Sequence, residues 1–422
     1  MRPYRFILIG CVNCAIAFGQ FTNTRISPVN QNPVEPSVAI NPLNTKEVAI
    51  GAVLDYYYYS SDKGLTWKAT TLTSTYGVYG DPVLQYDAKG RLYYFHLSDY
   101  PKGYWIDRIV CQYSDNPSEV SSFTAGSFPK PFGRKAQDKH WVDIDPKSGT
   151  IYMTWTQFDK YDSKNFIDSS RIMFSKSTNR GVSWTDPIVI SFYNGDCLDG
   201  DNTVEGAVPV VGVDGDLFVT WTGPKGLMLQ KSSDAGQTWL PIERTLMQQP
   251  GGWDFKIPGI YRCNGLPVLQ VDRSTGKNHG TLYLCWSDQR NGAKDTDIWL
   301  IKSDDNGTTW TKPIRVNQDK TKTHQFMASF TIDQSNGNLH FLFYDRSMAK
   351  QTNETHVVWV SSIDGGRHFD QRRISEKSFI PNPKGFFGDY IAIAAVQGTV
   401  VPVWVRADGI KMSLWTANLG LK

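Results

Sequence analysis

Short apolar runs recur along the chain, each cut off by a turn rich in Gly, Asp or Asn. One stretch shows the unit in full. Leu266-Pro267-Val268-Leu269-Gln270-Val271-Asp272 reads as a first strand and Gly280-Thr281-Leu282-Tyr283-Leu284-Cys285-Trp286 as a second. Asp297-Ile298-Trp299-Leu300-Ile301-Lys302 reads as a third and Lys312-Pro313-Ile314-Arg315-Val316-Asn317 as a fourth. Four strands per unit is the pattern of a propeller blade. First strands of this kind begin near Glu35, Asp81, Trp141, Glu205, Leu266, Gln325 and Gly388. The spacing predicts an all-β chain folded as one propeller of seven blades, or six if one unit is an inserted hairpin. The last unit ends after Ile410-Lys411-Met412-Ser413-Leu414-Trp415 without a clear fourth strand. Asn23-Thr24-Arg25-Ile26-Ser27-Pro28 resembles the other fourth strands and is expected to close the ring, hiding two sheet edges.

Between third and fourth strands a second pattern repeats. Ser60 to Trp67, Ser232 to Trp239 and Ser303 to Trp310 all read Ser-x-Asp-x-Gly-x-Thr-Trp. Ser177 to Trp184 carries Asn for Asp, Ser362 to Phe369 ends in Phe, and the second unit has only Ser114-Asp115-Asn116-Pro117. These residue types suit a tight hairpin. An Asp side chain accepts hydrogen bonds from backbone just ahead of it, and Gly supplies a positive φ. Thr-Trp restarts a strand, and the indole covers the turn.

The start of the chain reads differently. A short basic opening, the apolar run Phe6 to Phe18 and a small residue at Gly19 form a secretory signal at 1–19, leaving 20–422 as the propeller. Leu8-Ile9-Gly10-Cys11 has the form of a lipoprotein box but follows too short an apolar run. No segment is long and apolar enough to span a bilayer. The expected location is secreted, periplasmic or cell-surface, and the expected state is monomeric. The formal charge of +3 includes Arg2 and Arg5, which gives no electrostatic reason to expect nucleic acid. Cys111 and Cys285 sit in strand-like runs as thiols, whereas Cys197 and Cys263 lie in polar loops where a pair is conceivable. No Cys or His spacing suggests a metal, and no cofactor is expected. The abundant Trp and Tyr suit sugar surfaces, but packing between blades also uses them.

With Glu35 to Pro42, Asp138 to Asp145 and Phe387 to Tyr390, the boxes make the chain resemble the Asp-box, or bacterial neuraminidase repeat, superfamily over nearly its whole length. Its best-known enzymes are sialidases, and the resemblance implies a secreted glycoside hydrolase acting on an acidic glycan. Family sialidases use an Arg triad for the substrate carboxylate, a Tyr nucleophile helped by Glu, and an Asp acid/base. Where the first blade of the family carries Arg-Ile-Pro, this chain reads Glu35-Pro36-Ser37. A non-catalytic glycan- or protein-binding propeller and a polysaccharide lyase therefore stand as alternatives.

Strand order separates two faces. First strands start, and second strands end, on the face opposite the boxes, so site residues belong there. First-strand starts offer Glu35, Asp81, Asp138, His140, Glu205, Asn264, Gln325, Asp389 and Tyr390, and second-strand ends offer Arg290, Arg346 and Arg406. On the resemblance, Tyr390 is the expected nucleophile, Glu205 its carboxylate partner and Asp81 the acid/base. Arg290, Arg346, Arg406, Glu35, His140 and Asp389 are the expected substrate-binding set, since guanidinium groups pair bidentately with carboxylate or sulfate.

Overall fold

Each apolar run pairs with the next along the chain, and the meanders stack side by side around a ring. The computed structural model describes residues 21–420. The signal expected at 1–19, with Cys11 and Cys14, lies outside the described residues. The chain forms seven antiparallel sheets, six of four strands and one of three. Blade 1 runs through Val34–Ile40, Val48–Val53, Tyr56–Ser60 and Lys68–Thr71. The first strands of blades 2 to 7 are Val83–Tyr86, Ala136–Ile144, Glu205–Val211, Val268–Val271, Gln325–Asp333 and Ala392–Val396. They surround a central channel of ≈ 690 Å³. Seven is thus the count.

Ring closure follows the expected route. Asn23–Arg25 pairs with Lys411–Ala417 of blade 7, in register from Asn23↔Ala417 to Arg25↔Trp415. Blade 2 is the three-stranded one, and its degenerate turn explains why. Asp115 leaves the hairpin pattern to pair with Arg91 at 2.7 Å. The chain then passes through a short 3₁₀ turn at Val120–Ser122. It returns only as a single bridge between Cys111 and Ser127.

Blades stack face to face, so second strands are buried on both sides, as in Leu217–Thr222. Trp155, Trp221 and Trp286 hold the same place in three second strands and are nearly inaccessible. Much of the tryptophan is therefore packing. All four described cysteines are buried free thiols. Cys197 belongs to the apolar cluster of blades 2 and 3 and Cys263 to that of blades 6, 7 and 1, so the two do not pair.

The boxes close as their chemistry predicts. Asp305 Oδ1 accepts from the Thr309 N–H at 2.8 Å and Oδ2 from its hydroxyl at 2.6 Å, while Ser303 Oγ accepts from the Gly307 N–H at 3.0 Å. Asn179 replaces Asp in blade 3 with the same backbone bond, from Ser183 N–H at 2.9 Å. Both central residues are left-handed, Asn306 at φ 58° and Gly307 at φ 79°. The box glycine has a second task. A Cβ on Gly236 would strike the Phe174 ring of the preceding blade, so the box sets how closely blades approach.

Hydrogen bonds from Thr, Ser and backbone hold the Asp234 and Asp305 carboxyls at about 2. A depressed carboxyl adds stability above its unfolded pKa of about 4, and that stability is lost as pH falls toward 2. Asp305→Asn, copying Asn179, is expected to lower Tm at pH 7 while leaving it nearly unchanged at pH 2, and so to flatten the fall between pH 4 and 2. An unaltered acid slope would show that the box carboxylate does not drive it.

Candidate active site

Every first strand enters the ring at one mouth of the channel, and most enter with a kink. Ladder register shifts at the strand start in blades 1, 3, 4 and 6. A β-bulge re-aims side chains in this way. The residue at the kink is left-handed: Glu35 at φ 53°, Lys139 at 47°, Gly206 at 71° and Met327 at 52°, with Asp81 at 45° in blade 2. Non-glycine residues held there cost on the order of 1 kcal/mol or more each, so the surrounding structure enforces the repeat. Its effect is to gather polar side chains from several blades at the mouth.

The boxes lie at the other mouth. Arg180 of the blade 3 box reaches Asp87, where the first strand of blade 2 ends, at 2.6 Å. Asn306 of the blade 5 box reaches Asp216 at 2.8 Å.

The cluster at the first mouth contains Glu35, Asp81, Asp138, Asp199, Glu205 and Asp389, with Lys139 and Arg262 as its cations. Lys139 Nζ sits 3.0 Å from Asp389 Oδ2 with both side chains almost wholly buried. Arg262 grips the same carboxylate with Nε, at 2.8 Å, and Nη2, and reaches Asp199 with Nη1 at 2.8 Å. Tyr161 donates to Asp199 at 2.6 Å. Glu35 Oε1 accepts the Asp389 N–H at 3.0 Å, and Asn264 donates to the Asp389 carbonyl at 3.0 Å. Tyr390 lines the channel, packs on Trp141 with ring centroids 5.6 Å apart, and donates its hydroxyl to Asp81 Oδ1 at 3.0 Å.

Burial and neighbouring charge split the carboxyls into two kinds. Burial pushes Glu35 well above the usual range, and Asp81 and Asp389 add to the rise. Burial likewise raises Asp138, against the pull of Lys139, with Asp81 adding to the rise, and it raises Glu205 beside Asp199. Asp81 goes the other way. Burial opposes its ionisation, but Lys139 and hydrogen bonds from Asp138 and Tyr390 win. Asp199 is lowered against burial by Lys139, Arg262 and Tyr161. The mouth thus sets raised carboxyls beside lowered ones, Asp138 near Asp81 and Glu205 near Asp199. Burial, then Asp81 and Glu35, raise the Tyr390 phenol well above its ordinary value, so it stays protonated.

Of the residues expected from sequence, Tyr390, Asp81, Glu205, Glu35 and Asp389 come together here. His140 lies on Ala136–Ile144, the strand that carries Asp138 and Lys139, but is buried against Phe95, and burial pushes it down to about 4, leaving a neutral ring. The three arginines go elsewhere. Arg290 pairs with Asp288 at 2.6 Å and lies over Trp299, and Arg406 pairs with Asp408 at 2.9 Å over Trp415. Arg346 is buried, donating to the Pro258 carbonyl at 2.7 Å and lying over Phe326. Gln325 is held inside blade 6 by Asp345 and Asn317. The sequence reading assigned no role to Lys139, Asp199, Arg262 or Tyr161. Lys139 stood in plain view between Asp138 and His140, but Asp199, Arg262 and Tyr161 arrive on inter-strand loops that carry no repeat. Among the described residues no group of three or more His, Cys, Asp or Glu is placed to hold a metal ion.

Fold and boxes together define a BNR, or Asp-box, β-propeller with a sialidase-like fold. Residues 280–402 match the family model of the BNR repeat-like domain. No curated protein matches the chain. Among solved structures it is similar to the NanB sialidase of Streptococcus pneumoniae, at 12% identity over 84% of this chain and 70% of that one, with a TM-score of 0.54. It is similar also to an ulvan lyase, a polysaccharide lyase, at 12% identity over 94% of this chain and 96% of that one, with a TM-score of 0.55. That lyase is also known bound to -[GlcA(1-4)Rha3S]-. At such identity the likeness is one of fold.

Proposed function

We propose that this chain is a secreted glycoside hydrolase that cleaves an acidic glycan at the channel mouth lined by Tyr390. The observation that carries the reading is the 3.0 Å hydrogen bond from Tyr390 to Asp81, a carboxyl held ionised beside the raised carboxyl of Asp138. Groups whose environments push their pKa values apart are how a site divides acid from base. Tyr390 attacks the anomeric carbon while its proton passes to Asp81. Asp138 is thereby released to protonate the leaving glycosidic oxygen. Water then reverses the steps and frees the sugar. Glu205 completes the wall of the site as a protonated acid. Arg262, partly exposed at the mouth, meets the acidic group of the sugar by exchanging Asp199 for it at Nη1 while Asp389 keeps the other edge of the guanidinium, a part first expected of Arg290, Arg346 and Arg406.

A lyase reading draws on the same pair, with Tyr390 as the proton-transferring group and Arg262 neutralising a uronate. Both neighbouring folds, sialidase and polysaccharide lyase, belong to proteins named for action on glycans. The test is a screen of residues 20–422 against sialosides, polyuronates and sulfated polysaccharides, with products weighed by mass. Products heavier by one water mark hydrolysis, and unsaturated, ultraviolet-absorbing products mark elimination. Tyr390→Phe should abolish either. Turnover that survives in Tyr390→Phe would overturn the assignment.

A further inference from the structure

Beside the mouth, on the side of blades 2 and 3, the chain leaves aromatic surface open. Trp105 is 43% exposed, Tyr79 37% and Tyr104 44%. Trp105 is wedged between Tyr79, at 5.6 Å and 90°, and Tyr161, at 5.4 Å and 82°. Tyr161 is itself fixed by Phe158, at 5.0 Å, and by its hydrogen bond to Asp199. An indole held in this way presents a preset surface and gives up little freedom when covered.

Backbone strain points to the same place. Ile106, next in the chain, sits at φ 43° with its side chain buried. A β-branched residue in that region is a true outlier, and such strain gathers at functional positions. The ladder between the second and third strands of blade 2 also shifts here, between Leu97 and Asp99, where Asp99 faces Trp105. The strained residue drops Ile106 into the core and keeps Trp105 on the surface.

The platform is continuous with the proposed site. Tyr79 precedes Asp81 by two residues, and Tyr161 connects through Asp199 and Arg262 to Asp389, the neighbour of Tyr390. Aromatic faces carry negative charge density, and the C–H face of a pyranose carries the opposite sign. The sugar hydroxyls would meet the carboxylates that ring the mouth.

We infer that Trp105, steadied by Tyr79 and Tyr161, is a stacking subsite for a pyranose unit of the glycan chain next to the one held at Tyr390. The inference rests on the reading of the mouth as a glycan site, and it makes the ligand an oligomer or polymer rather than a single sugar. Affinity electrophoresis tests it, in gels containing chondroitin sulfate, alginate or hydroxyethyl cellulose. Wild type and Tyr390→Phe should be retarded alike by at least one of the three. Trp105→Ala should lose about tenfold or more in affinity, the range of one aromatic contact, and Trp105→Phe should keep most of it. Circular dichroism melting establishes that each variant is folded. On any polymer that is turned over, Trp105→Ala should raise KM and leave kcat within about threefold. Retardation that depends on Trp105 with no product from any glycan would uphold the subsite and remove the hydrolase. Tyr390-dependent turnover with KM unchanged in Trp105→Ala would do the reverse. Equal retardation of Trp105→Ala and wild type, or none of wild type in all three gels, overturns the inference.

Discussion

Lys139→Met is expected to lower the unfolding free energy at pH 7 by roughly 3–5 kcal/mol, the range for breaking a buried ion pair from one side. The Lys139 ammonium is 6% exposed and lies 3.0 Å from Asp389, which is 1% exposed. Asp389, Asp138, Asp81 and Glu205 all hold its proton on, outweighing the burial that would remove it. Methionine keeps the length and the apolar stem but leaves these acids with Arg262 as their remaining cation. The deficit should shrink as pH falls through about 4, because carboxyls deprived of a cation take up protons and cease to repel. Urea unfolding at pH 7 and pH 4 measures both parts. A loss under about 1 kcal/mol at pH 7, or one that does not narrow at pH 4, would show that Lys139 does not neutralise the mouth.

The architecture was legible because each blade repeats its instructions. A box fixes a turn with Ser, Asp and Gly, and its recurrence at Ser60, Ser177, Ser232, Ser303 and Ser362 marks five of the seven blades, the recurring first strands supplying the other two. The truncated last unit announced closure by Asn23–Arg25, whereas the degenerate box at Ser114 to Pro117 was visible but its consequence, a blade without a fourth strand, was not. Strand order then placed Asp81, Glu205, Glu35, Asp389 and Tyr390 on one rim.

The failures have a common cause. The arginines were assigned by topology, yet a guanidinium is long enough to choose its partner locally. Arg290 and Arg406 each take the aspartate two residues away on their own strand end. Arg262 follows no blade register, because it lies on the loop between blades 4 and 5. Only folding brings it against Asp389 of blade 7 and Asp199 from the loop between blades 3 and 4. The left-handed kinks at Glu35, Asp81 and Lys139 were equally hidden, since no glycine marks them.

Turnover by the proposed mechanism should depend on pH as a bell whose two sides belong to two neighbouring carboxyls, Asp81 and Asp138. Asp81 must be ionised to receive the Tyr390 proton, and its carboxyl is held below the usual range, so the acid limb falls below about pH 4. Asp138 must keep its proton for the leaving group, and burial holds it well above that range, so activity declines as pH rises through its raised value. Tyr390→Phe removes the nucleophile and Asp81→Asn its base. Each should lower kcat by on the order of 10³-fold with KM little changed, because general acid–base and nucleophilic steps act on the transition state. Asp138→Asn should lose the basic limb and a similar factor on a natural glycoside. On a nitrophenyl glycoside, whose leaving group needs no proton, that variant should recover most of its rate, whereas Tyr390→Phe should not. Asp138→Asn that keeps the basic limb, or Tyr390→Phe within threefold of wild type, would remove the pair from the chemistry. The bulged strand starts would then serve only to seal the mouth of the ring.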